Sequence, residues 1–123
     1  MATVLGIGGV FVKSKDADAL RRWYRDMLGL EIQEWGGAQL WSTPGRTYSV
    51  WSAFRAETGY FQPSTREFMI NLRVDDLDEL LAQLRARGAE VLGRGENSPD
   101  GKFGYVVDPD GTLLELWQPL DGR

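Results

Sequence analysis

The 123-residue chain contains neither cysteine nor histidine. Without cysteine it can build no disulfide framework, thiol nucleophile or thiolate zinc site. The missing histidine excludes more, because imidazole is the usual general base near neutral pH and the commonest protein ligand for zinc, nickel and non-haem iron. A Ser-His-Asp triad, a Cys-His dyad and a two-His-one-carboxylate iron site are all beyond one copy of this chain, which leaves carboxylate, lysine or tyrosine chemistry. Long apolar runs are also missing. The start, MATVLGIGGVFV, is too short to cross a bilayer and lacks the basic n-region of a signal peptide, so a cytoplasmic location with no membrane partner is expected. Basic residues are in the minority, 14 against 18 acidic, and the net charge of −4 works against non-specific attraction to phosphates. No nucleic-acid partner is expected.

What is present is an ordinary globular composition, 42% hydrophobic and 26% charged, in a length that suits one domain burying about two-thirds of its unfolded surface. The chain also repeats itself. Residues 9–28, GVFVKSKDADALRRWYRDML, lie on 69–87, MINLRVDDLDELLAQLRAR, at a shift of 60 that pairs Asp16 with Asp76, Asp18 with Asp78, Leu20 with Leu80 and Arg25 with Arg85. A glycine follows each copy, at Gly29 and Gly88. A second pair of segments, 36–54 and 101–119, aligns at a shift of 65 or 66 through Pro44 and Pro109. One domain of two similar halves, residues 1–55 and 68–123 joined by a connection over 55–67, is the expectation, with the site between the halves.

Each half predicts a strand, a helix and three short strands. Residues 4–14 alternate as a strand, with Val10 and Val12 on one face and Gly9, Phe11 and Lys13 on the other. In 68–74, Ile70, Leu72 and Val74 form the face suited to a helix, and Met69, Asn71 and Arg73 the opposite one. Asp16 suits a helix N-cap, with Ala17, Leu20, Tyr24, Met27 and Leu28 sharing the buried stripe and Gly29 as the stop. Asp76, with Glu79 three residues on, begins the second helix, which buries Leu77, Leu80, Leu81 and Leu84 and ends at Gly88. The remaining strands fall near 30–35, 38–42 and 47–54, then 90–94, 102–107 and 112–118. Asp108-Pro109-Asp110-Gly111 has the residues of a tight hairpin turn, with Thr43-Pro44-Gly45-Arg46 as its counterpart. The polar stretch 93–101, GRGENSPDG, either covers a cleft or forms a solvated turn, the turn being favoured. The GIGG of residues 6–9 lies within a strand and lacks the Lys-Ser or Lys-Thr of a phosphate loop, so close approach of two strands or two chains explains it better.

The phrases KDADALRRWYRDMLGLE (15–31), FMINLRVDDLDELLAQLRARG (68–88) and FGYVVDPDGTLLELWQP (103–119) together resemble the vicinal oxygen chelate superfamily, which includes glyoxalase I, bleomycin-resistance proteins, methylmalonyl-CoA epimerase and extradiol dioxygenases. The resemblance covers nearly the whole chain. It implies an α+β fold of two βαβββ modules curled into an open cup around a small ligand, and a homodimer. In metal-dependent relatives the ligands come from the first and last strand of each module. By the repeat, those positions here are Gly9, Met69, Glu115 and either Ser49 or Val50. One carboxylate among them does not hold a metal firmly, so neither metal nor cofactor is expected.

Alternation across 112–117 places Leu113, Glu115 and Trp117 toward the cup. Glu115 is the candidate catalytic residue, a base or ligand acceptor whose pKa desolvation would raise. Its rival reading is structural, a carboxylate neutralised by Arg73 or Lys13 or hydrogen-bonded to Asn71 or Tyr105. Lys13 and Arg73, if they point inward, suit an anionic ligand; otherwise they reach solvent. Phe11, Trp41, Trp51, Tyr60, Phe61, Phe68, Phe103, Tyr105 and Trp117 fall on strands or the connection and are shared between cup wall and core. Trp23 and Tyr24 suit helix packing, and Trp35 a sheet edge, dimer contact or pocket wall. The predicted ligand-binding set is Phe11, Lys13, Trp41, Ser49, Trp51, Met69, Asn71, Arg73, Tyr105 and Trp117. The expected function is metal-independent binding of an aromatic or anionic small molecule; the alternative is a glyoxalase I-like lyase or isomerase using Glu115.

Overall fold

The structure, a computed structural model, describes residues 2–41 and 47–120. Within them the chain runs β1 (Val4–Ser14), α1 (Ala17–Leu28), β2 (Gly37–Trp41), β3 (Tyr48–Arg55), β4 (Phe68–Val74), α2 (Leu77–Ala86), β5 (Glu90–Ser98), β6 (Gly101–Val107) and β7 (Leu113–Pro119). All seven strands join one sheet in the order β2-β3-β1-β4-β7-β6-β5. The pairs β1·β3 and β4·β7 are parallel and the others antiparallel. This is the α+β curled sheet that the resemblance implies. The first strands of the halves meet at its centre, where Gly9 pairs with Asn71, Val10 with Ile70 and Phe11 with Met69. A 60-residue shift carries the outer two of these pairs onto each other, so the internal pseudo-two-fold passes through Val10 and Ile70.

Local chemistry sets the element ends. Asp16 accepts a hydrogen bond from the Ala19 amide at 3.0 Å and Asp76 one from the Glu79 amide at 3.1 Å, each relieving an orphan donor of a helix start. Gly29, at φ 73°, ends α1 in the left-handed conformation. At the β6–β7 turn the Asp108 carboxylate accepts from the amides of Asp110 and Thr112, both at 2.9 Å, and Gly111 takes φ 88°. The counterpart turn at 43–46 lies outside the described residues.

Three expectations need correction. No strand forms at 30–35: the chain turns at Gln33–Gly37, where the Gln33 amide donates to the Gly37 carbonyl at 2.8 Å, Gly36 adopts φ 100°, and Arg21 holds the Gly36 carbonyl at 3.0 Å. The stretch 93–101 is no solvated loop. Most of it belongs to β5, which resumes its pairing with β6 at Gly95–Gly104 after an irregularity and keeps it to Ser98–Gly101. Finally, α1 does not bury the stripe its pattern suggests. Met27 and Leu28 remain 66% and 59% exposed, and α1 packs through Ala17, Leu20 and Tyr24 against Trp51 and Ala53.

The second half has the stronger helix core, in which Leu77 and Leu80 of α2 meet Val74, Val106 and Leu116. On the sheet's other face Phe61, Met69, Tyr105 and Leu113 fill one side of the cup. Among the described residues no helix is long and apolar enough to cross a membrane. The unequal helices predict unequal mutational costs. Leu77→Ala, at a side chain 3% exposed, should destabilise by about 2–5 kcal/mol, and Met27→Ala by less than about 0.5 kcal/mol. Urea denaturation of the two variants measures this; equal losses would show that Met27 is buried after all.

Candidate functional site

Alternation along β7 sends Leu114 and Leu116 toward α2 and turns Glu115 to the other face, into the floor of the cup. There Glu115 is 1% exposed. A carboxylate so far from water needs donors, and three elements supply them. The Asn71 amide on β4 donates to Oε1 at 2.8 Å. Tyr105 on β6 donates to Oε2 at 2.9 Å, and the hydroxyl of Tyr60, from the segment joining β3 to β4, donates to the same oxygen. The two phenol oxygens stand 2.6 Å apart. Arg94 secures this cluster from outside, its guanidinium 4.1 Å from the Tyr105 ring centre and 5.1 Å from that of Tyr60, and it donates to the Tyr60 carbonyl at 2.6 Å.

Burial pushes the Glu115 carboxyl above its ordinary 4.5; the bonds from Tyr60, Asn71 and Tyr105 oppose that rise, and the charge of Glu96 adds to it. Burial, with the Glu115 charge next in weight, likewise raises both phenols, so they remain protonated donors. The other carboxamide atom is unsatisfied. Asn71 Oδ1 is buried without a partner, against Gly8, where a Cβ would come within 2.1 Å of it.

Beside this floor opens a cavity of about 330 Å³. Phe11, Trp35, Gln39, Tyr48 and Val50 line it from the first half, and Glu96, Ser98, Asp100, Phe103 and Trp117 from the second, with Tyr60, Asn71 and Glu115 between. Phe103 and Trp117 are parallel, 2° apart in plane and 6.1 Å between centres, while Tyr48 meets Trp117 edge-on at 5.5 Å. The Trp117 indole donates to the Asp100 carbonyl at 2.9 Å, which fixes its plane.

Of the predicted ligand-binding set, Phe11, Asn71 and Trp117 line the cavity together with Glu115, and Tyr105 lies beneath it as the carboxylate's partner. The others are elsewhere. Met69 is fully buried in the filled side of the cup. Lys13 lies over the Phe61 ring at 5.4 Å, in a separate recess with Thr58 and Ser64, because Phe61 occupies the space between it and the floor. Arg73 donates to the Tyr48 carbonyl at 2.8 Å, so neither cation neutralises Glu115. Trp41 is 54% exposed against Tyr48. Strand parity removes Trp51 and Ser49: Tyr48 and Val50 face the cavity, and Trp51 stacks on Tyr24 of α1 at 3.9 Å. The counterpart of Glu115 is also neither Ser49 nor Val50. Phe11 pairs with Ser52 as Asn71 pairs with Glu115, and the shift that carries Phe11 onto Asn71 makes Ser52 the equivalent position.

Tyr48, Glu96, Ser98 and Asp100 were not foreseen in the site. Glu96 and Ser98 share a face of β5, a period-two signal obscured by the Gly, Asn and Pro around them, and Asp100 follows in the turn to β6. The four family ligand positions therefore carry Gly9, Ser52, Met69 and Glu115, and both Glu115 oxygens already hold donated hydrogens. Among the described residues no three carboxylates cluster to hold a metal. This donor set does not fit a borderline cation, which needs three or four nitrogen, sulfur or oxygen ligands.

Paired modules around a curled open sheet, with the site on its concave face, define the vicinal oxygen chelate superfamily, and this chain belongs to it. The family described as a glyoxalase-like domain matches residues 9–117, so the chain is a member of that family. Solved structures with this fold include the methylmalonyl-CoA epimerase of Mycobacterium tuberculosis, 21% identical with a TM-score of 0.66, the match covering 94% of this chain and 89% of that one. A Streptomyces coelicolor methylmalonyl-CoA epimerase variant in complex with 2-nitronate-propionyl-CoA is 20% identical, with a TM-score of 0.70 and coverage of 96% and 99%. A glyoxalase/bleomycin resistance protein/dioxygenase superfamily member from Vibrio splendidus 12B01 is 16% identical, with a TM-score of 0.58 and coverage of 96% and 99%. No curated protein sequence matches the chain significantly.

Two predictions test the floor. Since the folded state raises the Glu115 pKa, it binds more protons than the unfolded chain between 4.5 and the raised value; the stability this gives is complete below 4.5 and is lost as pH rises through that raised value. Unfolding free energies from urea denaturation across that window should fall with pH in the wild type, by up to about 1.4 kcal/mol per pH unit, and Glu115→Gln should flatten the slope. Parallel slopes would remove Glu115 from the account. Gly8→Ala should displace the Asn71 amide and cost about 1–3 kcal/mol, whereas Gly93→Ala, with nothing within 4 Å of the new Cβ, should change stability by less than about 0.5 kcal/mol.

Proposed function

We propose that the protein is a metal-independent small-molecule binding protein whose cavity holds a flat aromatic ligand without changing it. The observation that carries this is the state of Glu115: Oε1 is engaged by Asn71 and Oε2 by Tyr60 and Tyr105, so both oxygens of this buried carboxylate are engaged before a substrate arrives. A group held this way is a good structural anchor, and a substrate proton could reach it only after one of these donors had left. The walls beside it suit a planar ring, which can slot against Trp117 and Phe103 and meet Phe11 and Tyr48. A cavity of about 330 Å³ lies at the lower end of the range for small-ligand sites. The cavity does not favour an anionic ligand, because Lys13 and Arg73 lie away from its lining.

A second reading, an isomerase or lyase moving a proton beside a carbonyl, is favoured by one observation: the Glu115 carboxyl, raised by burial, sits against two phenols. Several neighbours in fold are methylmalonyl-CoA epimerases, which agrees with that reading. The reaction would require Tyr60 or Tyr105 to leave Oε2 and stabilise an enolate in the metal's place.

Titration calorimetry with 2-naphthol and related neutral bicyclic aromatics tests the first reading. Saturable binding is expected, with ligand recovered unchanged and affinity falling about tenfold or more in Trp117→Ala. Incorporation of solvent deuterium beside the carbonyl of an acyl thioester, abolished in Glu115→Gln, would establish the second reading instead.

A further inference from the structure

We propose that the cavity selects flat aromatic cations whose charged nitrogen bears N–H groups, arylamidines and protonated aminoarenes being the chemical type. This rests on the cavity being a ligand site, as above, and assigns the charge and hydrogen-bonding character of what enters it.

The carboxylates on the lining are Glu96, Asp100 and Glu115, and no lysine or arginine lines the cavity among the described residues. Two described cations close by are engaged: Arg94 lies over the rings of Tyr60 and Tyr105 and donates to the Tyr60 carbonyl, and Arg73 donates to the Tyr48 carbonyl. Neither Glu96 nor Asp100 forms a salt bridge with any described residue. Both are exposed at the mouth, so a ligand cation would gain their field without first breaking an ion pair.

Two independent features point the same way. The walls are rich in aromatic rings, with Trp117 set beside Phe103 and Tyr48, and the negative face of such a ring attracts cations. At the floor, Asn71 is 2% exposed and its Oδ1 accepts no hydrogen bond. A buried acceptor without a partner is uncommon and calls for a donor. An anion offers Oδ1 no hydrogen and meets three carboxylates. A neutral arene bearing an N–H or O–H could serve the acceptor but gains little from the rim carboxylates. An aromatic nitrogen cation with N–H groups satisfies both, its ring against Trp117 and its hydrogens toward the acceptors.

Three near-isosteric probes isolate the charge: 2-naphthamidine, 2-naphthamide and 2-naphthoate, cationic, neutral and anionic on one bicyclic ring. Calorimetry with the full chain at low salt should rank them in that order, the amidine at least tenfold tighter than the amide, a difference of about 1.4 kcal/mol. In the Glu96→Gln, Asp100→Asn double variant the amidine should lose most of that advantage, and raised salt should shrink it in the wild type. Equal binding of all three, or tightest binding of the naphthoate, would overturn the inference and leave the aromatic site standing. Saturable binding of none of the three would overturn the reading of the cavity itself.

Discussion

The buried carboxylate of Glu115 is the constraint around which the cup is organised. Moving a carboxylate from water to a site 1% exposed is costly unless its oxygens are satisfied, and satisfying them here requires three side chains from three separate parts of the chain. Asn71 comes from the first strand of the second half, Tyr105 from its middle hairpin, and Tyr60 from the segment between the halves. That segment is thereby more than a linker. Tyr60 reaches the carboxylate, Phe61 fills the adjoining core, and Arg94 reaches back from β5 to hold the Tyr60 and Gln62 carbonyls. The cluster ties the connection to the second half, and the central β1–β4 pairing ties the first half to both.

The same cluster divides the cup. On one side the space is filled by Phe61, Met69, Tyr105 and Leu113; on the other it stays open between β3 and the β6–β7 hairpin. The two halves repeat one strand arrangement, and their concave faces differ in complementary ways. Where the second half has Asn71 and Glu115, the first has Phe11 and Ser52. Gly8 and Gly9 leave room at the centre, and the virtual Cβ of Gly8 falls where the Asn71 carboxamide lies. The polar floor thus comes from one module and the space for it from the other.

Much of this was legible in the residues. Period-two alternation placed Leu113, Glu115 and Trp117 on one face of β7 and Leu114 and Leu116 on the other; aspartate caps and terminal glycines placed both helices. Misplaced residues failed for identifiable reasons. Trp51 is aromatic and on a strand, but its strand face depended on parity within β3, which hung on the exact length of the turn before it. Met27 and Leu28 fit a helical stripe, yet the helix carries no information about how far along its length the sheet extends. Glu96, Ser98 and Asp100 sit in a stretch whose Gly, Asn and Pro content suggests a loop, and only pairing with β6 makes most of it a strand. Tyr60 lies 55 residues from Glu115 in sequence, on a connection with no periodicity to aim it.

The electrostatic character of the site shows why residue type alone misleads about ligands. Lys13 and Arg73 occupy matching positions on the two first strands, and by symmetry both belong to the cup face. Their side chains are long, however, and each ends on a nearby acceptor or ring, Arg73 on a main-chain carbonyl and Lys13 over Phe61. The short carboxylates of Glu96 and Asp100 stay where the backbone puts them, at the cavity mouth. A long cationic side chain can leave a concave surface at little cost, whereas a short anionic one cannot. The sign of the field in the cavity therefore follows the side chains that have no reach, and in this protein those are acidic.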